Sequence, residues 1–200
     1  MTGESAALRI ALDLVRVPWR VRVLKTERLP SGVPLLLRIA AGDREAEEKA
    51  VAMTEKPLDV VREAATFFIE QILLCPEADS YRVLGSAPDA DSGELRRNMA
   101  LLTRWLHPDM DRQGERAVFV GRVTKAWNDL KTPERRAAYD DRKRDQRAAS
   151  SASGDARRVR RHFQDDLRPW NGAVQYDAFG RERTGFFRRA LSFLLGGTRH

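Results

Sequence analysis

Two stretches of helical apolar spacing flank a proline at position 108, and that arrangement restricts the chain to few folds. Leu95, Met99, Leu102 and Leu106 recur at steps of four, three and four, which is one face of a helix. Phe119, Val123, Ala126, Trp127 and Leu130 form a second such face, on a helix expected to start near Glu115. Pro108 disfavours the helical conformation for His107, so the first helix is expected to end there. The polar turn Met110-Asp111-Arg112-Gln113-Gly114 follows. Two apolar faces joined by a short turn predict an antiparallel helical hairpin.

The flanking residues supply starts and stops. Tyr81-Arg82-Val83-Leu84-Gly85 reads as one or two helical turns stopped by Gly85. Asp91-Ser92-Gly93-Glu94 has the form of a variant capping box, with Asp91 at the cap. Thr132-Pro133-Glu134 marks a further start, with Thr132 as cap, Pro133 in the first turn and Glu134 favoured by the helix dipole. The helix that begins there contains Ala137, Ala138 and Tyr139. Trp127 and Tyr139 are expected in the core.

That order resembles the J domain, over residues 77–144, about a third of the chain. The matching pieces are Asp79-Ser80-Tyr81-Arg82-Val83-Leu84-Gly85, Trp105-Leu106-His107-Pro108-Asp109, Lys125-Ala126-Trp127-Asn128-Asp129-Leu130 and Pro133-Glu134-Arg135-Arg136-Ala137-Ala138-Tyr139-Asp140. A bare HPD tripeptide carries little information; HPD between two amphipathic helices with the other pieces in place is highly specific. The resemblance implies a co-chaperone that docks on a DnaK-type ATPase chaperone and promotes ATP hydrolysis and capture of an unfolded or specific client. It implies partner contact through His107, Pro108 and Asp109, steered by Arg96, Arg97, Arg104 and Arg112. None of these needs to act as acid, base or nucleophile, so no enzymatic activity is expected.

The departures from the family fall on the helix before HPD. Ala100, Leu101 and Trp105 stand where basic residues are common, Met99 replaces the usual tyrosine, and Met110-Asp111 precede Arg112. Electrostatic steering is therefore expected to be weaker. Leu101 and Trp105, one turn apart, need cover or a partner, and the N-terminal segment is expected to pack on them. A J-like scaffold without ATPase coupling is one alternative function.

Residues 1–76 read as a helical segment of unassigned role. Leu8, Leu12 and Val15 have helical spacing; Val21 and Val23 alternate with Arg20 and Arg22 as a short strand or an extended connector. Leu35 to Ala41 reads as a brief helix closed at Gly42, and Asp43 opens a charged one. From Thr54 to Cys75, with Pro57 in the first turn, the wide apolar face of Val60, Val61, Ala64, Phe67, Phe68, Ile72 and Leu73 predicts a buried helix. The fold class is thus all-α.

Residues 145–200 change character. Gln146 to Gly154 is Ala/Ser-rich and reads as a flexible linker, followed by Arg157, Arg158, Arg160 and Arg161. Trp170, Tyr176 and Phe179 suggest loop, and Phe186 to Leu195 a short amphipathic helix that packs on the chain, docks on another protein or touches a membrane surface. The tail holds 11 basic and 6 acidic side chains, against 11 and 11 in residues 1–76. Nucleic-acid binding through it is the lesser alternative. Cys75 stands alone, and His162 and His200, the other histidines, lack ligand spacing with it or with His107, so neither a disulfide, a metal nor a cofactor is expected. With no basic apolar leader and no long apolar run, the default compartment is the cytoplasm.

Overall fold

The computed structural model describes residues 5–109, 114 and 116–161, with side chains described as far as residue 149. The described residues are helical and include no strand. Two compact units are distinguished, Met1–Ser151 and Ala152–His200.

The N-terminal helices are α1 (Ser5–Arg16), α2 (Val21–Leu24), α3 (Val33–Ala40), α4 (Arg44–Thr54) and α5 (Leu58–Phe68). A 3-10 turn, Pro18–Arg20, leads into α2. The alternation of Val and Arg at 20–23 is therefore helical and not extended. Pro18 opens a turn whose carbonyl already accepts the Val21 N–H, and an isolated strand would have no pairing partner. Pro57 caps α5 instead of lying inside it, with the same benefit of a missing N–H at a helix start. Beyond Phe68 the helix widens into a π turn, Ile69–Leu73, and keeps Ile69, Ile72 and Leu73 buried. Asp43 caps α4, its carboxylate accepting the Ala46 N–H at 3.2 Å. Its side chain also takes a bond from Arg38 at 2.8 Å, and that guanidinium and the cap hold the Asp43 carboxyl below its ordinary range.

The remaining helices are α6 (Ser80–Val83), α7 (Ser92–Trp105), α8 (Ala117–Leu130) and α9 (Pro133–Arg161). Asp79 and Asp91 cap α6 and α7 by accepting the Arg82 and Glu94 N–H groups at 2.9 and 2.7 Å. Thr132 Oγ1 accepts the Arg135 N–H at 3.3 Å at the start of α9. That helix runs through Gln146–Gly154, where composition predicts a linker. Its alanines and long charged residues are strong helix formers, and they outweigh the serines. The expected loop around Trp170, Tyr176 and Phe179 and the helix at Phe186 to Leu195 lie outside the described residues.

One apolar cluster runs from Ala7 through Leu36, Phe68, Tyr81 and Leu102 to Leu130. Helix α1 packs on α5, α3 on both α5 and α7, α6 on α8, and α7 on α8. Helix α3 is the link: almost wholly apolar, it is buried against the N-terminal helices on one side and α7 on the other. Burial on two sides follows from its composition, since Val33, Leu35, Leu36, Leu37 and Ile39 are all apolar and leave only the narrow strip of Pro34 and Arg38 toward water.

The seam between the two halves closes at Gly85. Its φ of +66° suits glycine, and a Cβ there would lie 2.9 Å from Val33 Cγ1 and 3.3 Å from Leu37 Cδ1. Arg122 and Arg82 add polar stitches, donating to the carbonyls of Leu74 and of Leu24 and Glu27 respectively. Gly85→Ala should destabilise the protein by about 2 kcal/mol or more, through left-handed strain plus overlap with α3. Urea unfolding checks this, and a shared core requires that the variant still unfold in one transition by circular dichroism and by tryptophan fluorescence.

Candidate functional site

The HPD turn sits where the end of α7 meets the start of α8, and Trp105 organises that end of the hairpin. The residues of α7 that are buried are Leu95, Asn98, Leu102 and Trp105. This stripe is one residue offset from the Leu95, Met99, Leu102, Leu106 face suggested by apolar spacing. Met99, Leu101 and Leu106 lie partly buried on its margins. Asn98 explains the offset. Its amide is buried yet satisfied, donating to the Leu84 carbonyl at 3.0 Å and to Ser86 Oγ at 3.0 Å.

Trp105 is 1% exposed. Its ring stacks on Phe119 of α8 with centroids 6.2 Å apart and planes 27° from parallel. The Arg116 guanidinium lies 4.8 Å from the ring centroid, and its Nη1 donates to the Trp105 carbonyl at 3.3 Å. The expected cover for Trp105 was the N-terminal segment; its aromatic partner comes instead from the other arm of the hairpin. That segment does reach α7, through α3. A tryptophan on the stripe that includes Asn98 points into the hairpin, which a purely apolar count cannot foresee.

His107, Pro108 and Asp109 are exposed. The His107 N–H closes the helix end by donating to the Arg104 carbonyl at 3.1 Å. Within the turn, the Asp109 N–H donates to His107 Nδ1 at 3.3 Å, which requires a lone pair on that nitrogen. The proton of the neutral ring is then on Nε2, directed away from this bond. If Nδ1 is protonated, it faces the Asp109 carboxylate at 3.5 Å instead. The Asp109 side chain is 88% exposed, so its carboxylate stays open to a cationic partner.

Arg96, Arg97 and Arg104 are all exposed on α7. Arg97 and Arg104 are two turns apart and share a face, with Arg96 one position round. Arg97 also favours the ionised form of Asp91, whose carboxyl is lowered mainly by the Glu94 N–H. Arg112 lies outside the described residues. The structure therefore places His107, Pro108 and Asp109 in one exposed turn and the three arginines on the helix leading to it, while Trp105 belongs to the interior. Among the described residues there is no group of metal ligands and no helix long and apolar enough to cross a membrane.

The signature pieces on either side of the hairpin meet in space, a contact that sequence spacing did not reveal. The Tyr81 hydroxyl donates to both Asp140 oxygens at 3.0 Å and accepts from Arg136 Nε at 2.9 Å. Arg136 also donates to the carbonyls of Ala90 at 2.7 Å and Pro88 at 2.5 Å. The Tyr139 hydroxyl accepts the Ser80 N–H at 2.9 Å, and Ser80 Oγ donates to Asp129 at 2.8 Å. Lys143 pairs with Asp79. Burial opposes ionisation of Asp79, but the Lys143 ammonium and the Arg82 N–H outweigh it and hold the carboxyl below its ordinary range. Burial pushes the Tyr81 phenol up. These bonds clamp α6 to α8 and α9, at the base of the hairpin.

Sequence comparison identifies the same region. A family model described as the DnaJ domain matches residues 79–140. Residues 79–140 are a J domain. The chaperone protein DnaJ of a Synechococcus strain is 38% identical over 63 residues, which cover 32% of this chain and 17% of that protein. A DnaJ-like protein of Mycoplasma genitalium is 36% identical over 62 residues, 31% of this chain and 10% of that one. Chaperone protein DnaJ 1 of Mycobacterium leprae is 35% identical over 68 residues, 34% and 18% respectively. The chain thus spans less than a fifth of the length of each of these relatives, and the similarity is confined to the J domain. No solved structure matches the chain significantly.

The J domain's HPD turn is held from beneath by the Trp105–Arg116–Phe119 stack. Arg116→Ala should cost about 1–2 kcal/mol through the lost cation–π contact and hydrogen bond. It should also speed amide hydrogen exchange at Asp109, whereas Arg116→Lys should retain part of the protection. Unchanged exchange in the alanine variant would show that the stack does not order the turn.

Proposed function

We propose that this chain is a J-domain co-chaperone that binds a DnaK-type ATPase chaperone and stimulates its ATP hydrolysis. The observation that carries the reading is the exposed His107-Pro108-Asp109 turn at the tip of an intact J-domain hairpin, approached along Arg96, Arg97 and Arg104. In this reading Asp109 pairs with a cation on the partner, and Pro108 limits the conformations of the turn. His107 orients the Asp109 backbone through Nδ1 and offers Nε2–H outward. Arg112 adds to the same positive approach. The protein contributes no catalytic group of its own; its work is to favour the hydrolysing state of its partner.

The scaffold alternative drew its support from the replacement of basic residues on α7 by Leu101 and Trp105. Burial of Trp105 in the hairpin removes that residue from the approach surface, which favours the co-chaperone. The flanking segments then choose client or location, in the cytoplasm, where a DnaK-type partner and its ATP are at hand.

Complex formation tests the reading. With a DnaK-type chaperone in its ATP state, the wild-type chain should bind, and Asp109→Asn should weaken binding by at least about tenfold, since removing one partner of a close charge pair is costly. Arg97→Glu with Arg104→Glu should slow association and flatten its dependence on salt. Equal affinities for the wild type and Asp109→Asn would contradict the assignment of the turn as the docking element.

A further inference from the structure

Charge in the first 76 residues is balanced overall but segregated in space. Residues 13–28 carry Arg16, Arg20, Arg22, Lys25 and Arg28 against Asp13 and Glu27. The rest of the segment is acidic in balance. Arg16, Arg22 and Arg28 are exposed, and with Lys25 they form no ion pair among the described residues; only Arg20 approaches an acid, Asp13 at 3.7 Å. Within this cationic surface stands Trp19, 73% exposed, and one turn further Val23, 50% exposed. The Trp19 indole has no ring, cation–π or hydrogen-bond partner among the described residues.

The opposite side of the same short element is firmly held. Leu24 is buried, Val21 packs on the core, and the Arg82 guanidinium binds the carbonyls of Leu24 and Glu27. The exposed apolar pair is therefore presented by an anchored turn and not by a loose end. Exposing an indole costs free energy that burial on the chain's own core would recover, so an ordered turn that keeps it outward suits an external apolar phase.

We propose that Pro18–Leu24, with Trp19 and Val23 at its tip and the surrounding arginines and Lys25, docks on the surface of an anionic lipid bilayer. Two apolar side chains are too few for the core of a stable protein interface, which needs a larger contiguous footprint. A single-stranded nucleic acid would call for a row of stacking rings, and here there is one ring beside an aliphatic residue. A bilayer demands neither shape complementarity nor a row of rings. It takes an indole at the headgroup level, a short aliphatic side chain beneath, and diffuse positive charge facing anionic headgroups. Because Arg82 belongs to α6 of the J domain, docking would hold that domain beside the membrane. This inference is independent of whether the HPD turn stimulates an ATPase.

The test uses the full chain with vesicles of phosphatidylcholine alone and of phosphatidylcholine containing one-third phosphatidylglycerol. Co-sedimentation should occur with the anionic vesicles and not with the neutral ones. Trp19→Ala should lower partitioning by about tenfold, and Arg22→Ser with Arg28→Ser by roughly fivefold per cation removed. Brominated acyl chains should quench tryptophan fluorescence in the wild type, with most of that quenching lost in Trp19→Phe. The substituted side chains are exposed, and unchanged thermal unfolding of the variants confirms that folding is retained. The proposal is overturned by absence of vesicle binding, by equal binding to neutral vesicles, or by undiminished binding of folded variants, which would place the contact elsewhere on the chain. Binding to a single-stranded oligonucleotide that depends on Trp19, without vesicle binding, would also overturn it.

Discussion

The contact of the buried Trp105 ring with Phe119 and with the Arg116 guanidinium is the one on which the exposed turn depends. It joins the last residue of α7 to the first turn of α8, so both ends of the loop that carries His107, Pro108 and Asp109 are fixed at once. The hydrogen bond from Arg116 to the Trp105 carbonyl satisfies an acceptor that the helix end leaves unpaired. With the base closed, the local bond from the Asp109 N–H to His107 Nδ1 needs little further ordering of the chain. Exposure of the Asp109 carboxylate is thus a consequence of how well the residues below it are buried.

The same logic governs the far end of the hairpin. There the polar residues of the two signature pieces, Tyr81 with Arg136 and Asp140, and Ser80 with Tyr139 and Asp129, satisfy one another. A partly buried polar network of this kind is most stabilising when each member is paired, which is a physical reason for the pieces to occur together. Helix α6 is held from its other side by Arg82 and by the close approach of Gly85 to α3. The J domain is consequently one part of a larger core, and the HPD turn is presented from a scaffold that includes the N-terminal helices.

Much of this was legible in the sequence because the signals were local. Asp43 and Asp91 cap helices at the starts their positions suggest, and Gly42 and Gly85 adopt positive φ at 72° and 66° where helices close. The HPD turn lies outside α7 because Pro108 disfavours helix at the preceding residue. What escaped was non-local. Asn98 reads as polar, but acceptors at Leu84 and Ser86 make its burial favourable, and its inclusion shifts the inward stripe onto Trp105. Val21 and Val23 read as extended, yet the proline-led turn before them and the core contact of Val21 and Leu24 wind them into a helix. The meeting of α3 with α7 left no periodic mark at all beyond the uniform apolarity of Val33 to Ala40.

The central claim, that the HPD turn on this scaffold drives a DnaK-type ATPase, is tested most directly by single-turnover ATP hydrolysis. Hydrolysis by a DnaK-type chaperone preloaded with ATP should be accelerated by the wild-type chain and not by His107→Gln, with both proteins showing the same thermal unfolding. The account is contradicted if the wild type leaves the hydrolysis rate unchanged, or if folded His107→Gln accelerates it equally.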